Sequence, residues 1–228
     1  MIPPRNDDDD DGGTPPCFLH ELGRNGVPGV DPRQATDVAR WRKAERERLI
    51  GARLALSVEL RAAQTLAIAG DLSPLIPTAP DTMVSVYWPI RAEPDLRPWM
   101  HAMWERGVRI ALPVAIALGQ PLVFREWRPN ARMARGLWKI PYPAEGGEVV
   151  PTVVLAPLVG FDQDCYRLGY GGGFFDRTLA HFPAKPLVIG VGYPSARIPT
   201  IFPQPHDIPM DWVVTGATPP LRRGVGQS

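Results

Sequence analysis

Between Met83 and Thr215, short apolar runs rich in β-branched residues alternate with segments of helical periodicity, and this alternation narrows the fold more than any other feature. Met83–Trp88, Val108–Leu112, Leu122–Trp127, Thr152–Ala156, Leu187–Val191 and Trp212–Thr215 read as strands, while Pro94–Arg106 and Gly173–Phe182 read as helices. Strands and helices in alternation give an α/β chain, a sheet with helices on its faces. Upstream, Ala35 to Gly70 is helical, as two helices or one bent one. Val38, Trp41, Ala44, Leu49 and Ala52 recur along one face, and Ser57 is placed to cap a second segment. The opposite face is basic, with Arg40, Arg42, Lys43, Arg46 and Arg53.

Composition excludes several classes. Of 228 residues 28 are proline, about 12% against a usual ~5%. Because these prolines punctuate apolar segments, they predict many short elements joined by shaped loops. Two cysteines, Cys17 and Cys165, cannot supply a disulfide framework or a zinc ribbon. The net charge of +1 argues against a nucleic-acid coat. Met1–Gly13 has no basic start followed by an apolar core, so it does not read as a signal peptide, and no apolar run reaches the ~18 residues of a membrane span. A cytoplasmic location is the expectation.

Residues 1–34 stand apart: Asp7–Asp11, six prolines and a charge of −4, against +5 for residues 35–228. Such a segment buries too little apolar surface to offset its ordering entropy, which predicts a flexible acidic tail. An α/β domain over 35–218 and a loose terminus over 219–228 complete the expected organisation.

The densest chemical signal is Phe161 to Arg177, FDQDCYRLGYGGGFFDR. Gly169, Gly171, Gly172 and Gly173 permit sharp turns that aim several backbone N–H groups at one anion, and a helix starting after Gly173 adds its positive end. Arg167 has the planar fork that suits phosphate oxygens, and Asp176 suits a cation bridging them. The spacing fits neither the P-loop nor the dinucleotide fingerprint. Taken alone, the same glycines also suit a tight strand-to-helix turn with no ligand.

The segment Phe161-Asp162 followed by Arg167-Leu-Gly-Tyr-Gly-Gly-Gly-Phe-Phe-Asp-Arg resembles the signature of the 5-formyltetrahydrofolate cyclo-ligase (methenyltetrahydrofolate synthetase) family, FD..G.RLGyGgGyYDR. The resemblance extends in order over residues 38–215. It takes in the basic helix Arg42–Ser57, Tyr87-Trp-Pro with Glu93, Leu112-Pro113, Gly136-Leu-Trp-Lys-Ile-Pro-Tyr-Pro and His206-Asp207. It implies a three-layer α/β/α sandwich with a mostly parallel sheet, like ribose-phosphate isomerases and CoA transferases. It also implies conversion of 5-formyltetrahydrofolate to 5,10-methenyltetrahydrofolate with ATP and Mg²⁺. ATP phosphorylates the formyl oxygen, N10 attacks, and ADP and phosphate are released.

The same resemblance assigns residues. Arg42 and Arg46, four apart on one helix face, would grip ATP together with Arg167, Leu168, Gly169, Tyr170, Gly171, Gly172, Gly173, Phe174 and Phe175. Asp176 and Asp207 would accompany Mg²⁺. Glu93, Trp138, Phe174 and Phe175 would face the folate, Glu93 by accepting from ring N–H groups and the aromatics by stacking. Each has a plainer reading: a solvated basic helix, structural caps, an exposed loop acid, core aromatics.

Arg125, Arg128, Arg132, Arg135 and Lys139 suit either a rim for a polyglutamate tail or a solvated loop. Partners are then the folate and ATP, with neither membrane nor nucleic acid, and the chain a monomer. The family motif has Tyr at Phe175 and Gly at Cys165. The Phe175 change favours one rival reading, a nucleotide- or folate-binding relative that turns nothing over. Cys165 itself reads as structural, since no His lies near in sequence to activate it.

Overall fold

The computed structural model describes residues 32–77, 79–217 and 219–224. The acidic run Asp7–Asp11 and Cys17 lie outside them. The chain divides into two units, Met1–Glu45 and Arg46–Ser228, so the boundary falls later than the expected one at 34. Of the first unit only the opening turns of helix α1 (Pro32–Leu54) are described; Pro32 to Gln34, assigned above to the tail, are already helical.

The second helix, α2 (Val58–Leu72), starts where Ser57 accepts a hydrogen bond from the Leu60 amide at 3.2 Å. The expected cap is therefore in place, and residues 55–57 separate two distinct helices. The strands follow as β1 (Met83–Ser85), β2 (Arg109–Ala115), β3 (Leu122–Trp127), β4 (Met133–Arg135), β5 (Pro141–Pro143), β6 (Glu148–Val149), β7 (Val153–Pro157), β8 (Gly160–Phe161), β9 (Arg167–Leu168), β10 (Leu187–Val191), β11 (Trp212–Val214) and β12 (Leu221–Arg222). Between them lie α3 (Arg97–Glu105) and α4 (Phe174–His181).

Eight strands form one sheet in the order β12-β11-β10-β7-β1-β2-β3-β6. From β11 to β2 every pairing is parallel; β12, β3 and β6 join antiparallel. The central strands β1, β7 and β10 are apolar on both faces, as expected of parallel strands covered on both sides.

Val84, Ile110, Leu112, Leu155, Ile189, Val191 and Val214 pack with Ile68 and Leu72 of α2 and Trp99, Met100 and Met103 of α3. Met83, Ala111 and Phe124 face the other way, against Phe182 at the end of α4, and Val188 and Val213 meet Leu179 of α4. Three layers result, as the family resemblance implied.

Local chemistry moves several boundaries. The run Met83–Trp88 stops as a strand at Ser85, although Val86 still donates to Ala111 O (2.9 Å). Helix α3 starts at Arg97, its amide held by Asp95 Oδ1 at 3.1 Å, so Pro94–Leu96 belong to the preceding loop. The expected loose terminus needs correction for its described part: Leu221–Arg222 pair with β11, and Arg222 lies over the Trp212 ring at 5.4 Å.

Candidate active site

The glycine loop joins β9 to α4, and its entry is built by Asp162. Asp162 Oδ1 accepts from the amides of Asp164 (3.1 Å) and Tyr166 (3.0 Å), and Oδ2 accepts from Ile201 N (3.1 Å), which closes the β8–β9 hairpin. Burial raises the Asp162 carboxyl above its usual range despite those three bonds. At the tip of the hairpin Cys165 has φ 63°, the left-handed region that favours glycine. The family motif places its Gly here; a cysteine is accepted at a cost of about 1 kcal/mol. The thiol is fully buried and pushed up to about 11 by burial, which fits the structural role expected of it.

Within the loop, Gly171 (φ 91°) and Gly173 (φ 62°) adopt left-handed backbone, and Gly173 is the N-cap residue of α4. Arginines hold its carbonyls. Arg46 Nε donates to Gly169 O at 2.8 Å, and Arg177 Nη2 donates to Gly172 O. A planar trans peptide sends the next N–H to the side opposite the carbonyl. The amides of Tyr170 and Gly173 therefore face away from the two arginines. Arg46 also passes close over Gly171, where an added Cβ would lie 3.3 Å from its Cζ. Arg42, one turn earlier on α1, belongs to the Met1–Glu45 unit.

Arg167 sits differently from its expected place. Its guanidinium is buried, pairs through Nη2 with Asp176 Oδ2 at 2.8 Å, and stacks over the Phe175 ring at 5.0 Å. An added Cβ on Gly169 would come within 2.9 Å of Arg167 Nη1, so the loop lies directly on this side chain. Arg167 thus braces the loop against the first turn of α4. Leu168 beside it is a core residue, 1% exposed.

Asp176 Oδ1 accepts from Ile208 N at 3.3 Å, which brings the segment holding Asp207 alongside. Asp207 Oδ2 in turn accepts from Gln204 N at 2.7 Å. Among the described residues no group of three or more His, Cys, Asp or Glu is placed to hold a metal. Asp176 and Asp207 are carboxylates close to the glycine loop, the ligand type that Mg²⁺ takes, one or two at a time, together with substrate phosphates.

Glu93, the exposed loop acid of the plainer reading, is buried at 5% exposure. Its turn is strained, since Arg91 (φ 46°) and Ala92 (φ 58°) are both left-handed without being glycine. The turn is closed by Glu93 N to Ile90 O (3.0 Å) and Ile90 N to Glu93 Oε2 (2.9 Å). Across from it, the Tyr170 hydroxyl donates to Glu93 Oε1 at 2.8 Å, and Arg53 Nη2 donates to that hydroxyl. One residue of the glycine loop is therefore bonded to the buried acid. Burial dominates and raises the Glu93 carboxyl above the usual range, although the Ile90 amide, Tyr170 and Arg53 all act to lower it.

Trp138 is 61% exposed, so its core reading fails; it meets Phe174 edge-on with centroids 5.4 Å apart. Its own φ of 54° and that of Lys139 (59°) turn the chain there, between β4 and β5. The basic stretch is largely engaged nearby. Arg125 donates to Pro143 O and Ala144 O, Arg135 donates to Lys139 O, and Arg128 and Arg132 lie within ion-pair distance of Glu126 and Glu145. Arg128 and Arg132 remain mostly exposed.

Sequence alone puts Arg53 on the basic face of α1 and includes Tyr87 and Arg177 in the family motifs, with no site role for any of the three. One signal was present: Arg46 and Arg53 are seven apart, two turns on the same side of α1.

The sequence profile of the 5-formyltetrahydrofolate cyclo-ligase family matches residues 38–216. The chain belongs to this family. The cyclo-ligases named as such include one from Mycolicibacterium smegmatis, 34% identical over 140 residues (58% of this chain and 72% of that one), and one from Escherichia coli K12, 32% identical over 142 residues (58% and 76%). Among solved structures, 5,10-methenyltetrahydrofolate synthetase from Aquifex aeolicus superposes with a TM-score of 0.69 at 28% identity, covering 82% of this chain and 95% of that one. The Mycoplasma pneumoniae synthetase has the same fold, with a TM-score of 0.63 at 22% identity, covering 77% and 98%. The cyclo-ligase family is a family of ligases, and its α/β fold is the one found here. No described helix is long and apolar enough to cross a membrane.

Proposed function

We propose that this cyclo-ligase family member converts 5-formyltetrahydrofolate to 5,10-methenyltetrahydrofolate at the expense of ATP, with Mg²⁺ accompanying the nucleotide. The observation that carries this reading is the Tyr170–Glu93 bond, which joins a loop suited to phosphates to a buried acid suited to a pterin.

In this reading the amides of the glycine loop and the start of α4 receive the nucleotide phosphates, with Arg46 overhead. The γ-phosphoryl group passes from ATP to the formyl oxygen and ADP leaves. N10 then adds to the activated carbon, losing its proton as the ring closes, and phosphate departs with the former formyl oxygen. The protein mainly positions the reactants and stabilises charge. Glu93 accepts from ring N–H groups and fixes the pterin. Phe175 supplies a ring under Arg167, and Phe174 with Trp138 forms an aromatic wall. Asp176 and Asp207 would hold Mg²⁺ together with the nucleotide phosphates, and the ion would supply neutralisation of charge on the transferring group. Arg128 and Arg132 make a cationic rim for one or more glutamates of the folate tail.

The test is spectrophotometric: 5-formyltetrahydrofolate, ATP and Mg²⁺ are mixed with the protein and the near-ultraviolet band of the methenyl product is followed, omitting ATP as control. ATP-dependent growth of the band supports the reading. Silence, with ATP binding still measurable by calorimetry, replaces it with a nucleotide-binding relative that turns nothing over, a reading favoured by Phe175, which brings no phenol to the loop. A second expected result concerns Trp138→Ala. The side chain is exposed, so the melting temperature should hold while the Michaelis constant for the folate rises roughly tenfold, the scale of one lost aromatic contact, and that for ATP changes far less. Equal rises in both constants would remove Trp138 from the folate side.

A further inference from the structure

We infer that Arg53 and Tyr170 are positioning residues that orient Glu93 and keep it an ionised acceptor for the substrate, through a one-way chain of hydrogen bonds from Arg53 to Tyr170 to Glu93. The inference rests on the proposed function in taking Glu93 as the acid that meets the folate.

The direction of the chain is forced by chemistry. A guanidinium can only donate and an ionised carboxylate can only accept. The phenol between them has one proton and must give it to Glu93 Oε1 while its oxygen receives Arg53 Nη2. Burial, and next the charge of Glu93, raise the Tyr170 hydroxyl well above the usual phenol range, so it remains a donor at every working pH.

Arg53 is itself fixed. It is 6% exposed, and Nη1 lies 3.4 Å from Leu158 O, the residue just past β7, so the cation is anchored beside the sheet. Both Arg53 and Arg91 stand 5.7 Å from the centre of the Tyr170 ring. With Tyr170 on Oε1 and the Ile90 amide on Oε2, the carboxylate is held from two sides. Each oxygen keeps a further lone pair for a ligand N–H.

The charged and titratable groups around Glu93 come from every neighbouring element: Arg53 from α1, Tyr170 from the glycine loop, Tyr87 from the segment after β1, Arg91 and Asp95 from its own loop, and Tyr193 beyond Tyr87 from the segment after β10. Tyr87 donates to Pro94 O at 2.9 Å, and burial followed by the charge of Glu93 holds it protonated. Arg53 and Tyr170 are thus the groups whose removal changes the ionisation of Glu93. Because Tyr170 belongs to the glycine loop, the same chain ties the nucleotide side of the site to the folate side.

The test uses the full chain with ¹³C-labelled glutamate carboxyls, the Glu93 resonance being the one lost in Glu93→Gln. Its titration is compared with the acid limb of kcat/KM for 5-formyltetrahydrofolate. In Tyr170→Phe the carboxyl midpoint and the acid limb are expected to move to higher pH together by about one unit, a tenfold change in proton affinity from one lost bond to the charged form. The ATP Michaelis constant should change less than about twofold, as expected when the loop backbone is untouched.

Arg53→Met should move both midpoints the same way, and Arg53→Lys, which keeps the charge, should restore most of the shift. Should Tyr170→Phe fail to fold by circular dichroism, the two Arg53 variants carry the test. An unmoved Glu93 midpoint in the folded variants overturns the inference, as does a moved midpoint with an unmoved acid limb. If the wild-type chain binds ATP yet forms no methenyl product, it is the functional reading that falls. The carboxyl titration then decides the chain of bonds by itself, a shift upholding it and a constant midpoint removing it.

Discussion

Arg167→Ala is expected to lower the unfolding free energy by about 3 kcal/mol, the usual cost of removing one partner from a buried ion pair, and hence the melting temperature by roughly 10 °C for a chain of this size. The pair is well enclosed, with side-chain exposures of 5% for Arg167 and 17% for Asp176. Removing the guanidinium strands the Asp176 carboxylate and takes away the group stacked on Phe175. It also opens a void beneath Gly169, where Arg167 now stands. Thermal melts of Arg167→Ala, Asp176→Asn and the double variant form a cycle. The double variant should lose clearly less than the two single losses added together, because the partner of each group is already gone. A melting temperature within 3 °C of wild type, together with weakened ATP binding, would restore Arg167 as a phosphate-gripping fork and end its role as a brace.

Glu93→Gln is expected to lower kcat/KM for 5-formyltetrahydrofolate by about 10²–10³, the loss associated with one oriented charge-stabilising group in a closed site. The amide keeps the shape of the side chain, so the loss reports charge and acceptor capacity. Stability should run the other way. The carboxyl of Glu93 is raised by burial, so the folded state holds its proton more tightly than the unfolded chain does. Its favourable linkage is complete below the unfolded carboxyl range and is lost as pH rises through the raised folded value. At pH 8 the ionised acid weakens the fold, and the neutral amide leaves the melting temperature equal or higher. In acid the difference disappears. A melting temperature that falls at pH 8, or a kcat/KM within threefold of wild type, would mean that Glu93 serves only to close its own turn.

Both predictions turn on side chains whose identities were conspicuous in the sequence and whose partners were not. Arg167 and Asp176 are nine positions apart, with a glycine run and the helix start between them. A forked cation before a glycine run reads as an anion ligand until the fold turns it onto Asp176. Glu93 and Tyr170 are 77 positions apart, and Arg53 and Tyr170 are 117 apart. No periodicity within a segment can report bonds of that span. Arg53 shows the difficulty most plainly. Helical periodicity put it on the polar side of α1, which was correct for the helix alone; that polar side meets the glycine loop, where the Tyr170 phenol and the Leu158 carbonyl just past β7 receive its donors.

Short-range chemistry was far more legible. Leu122–Trp127 and Leu187–Val191 were predicted with the bounds they have, because a strand of aliphatic and aromatic residues depends mainly on the pleat and on burial. Ser57 was recognised as a cap because its bond reaches only three residues along the chain. The two-stranded pieces were missed: β4–β5 and β8–β9 are three and two residues per strand, too short to show any period. Edge strand β12 was missed for the same reason.

What the sequence by itself determined is the alternating α/β order, the glycine loop with its following helix, and the family to which their spacing belongs, since each rests on residues close in the chain. Tertiary structure alone decided that Arg167 braces the loop and that Arg46 and Arg177 hold its carbonyls. It alone made Glu93 a buried acid reached by Arg53 through Tyr170. These are choices of partner among charged and polar groups. A cation in water has no preferred carboxylate, and only burial, by making every unpaired polar atom costly, selects one.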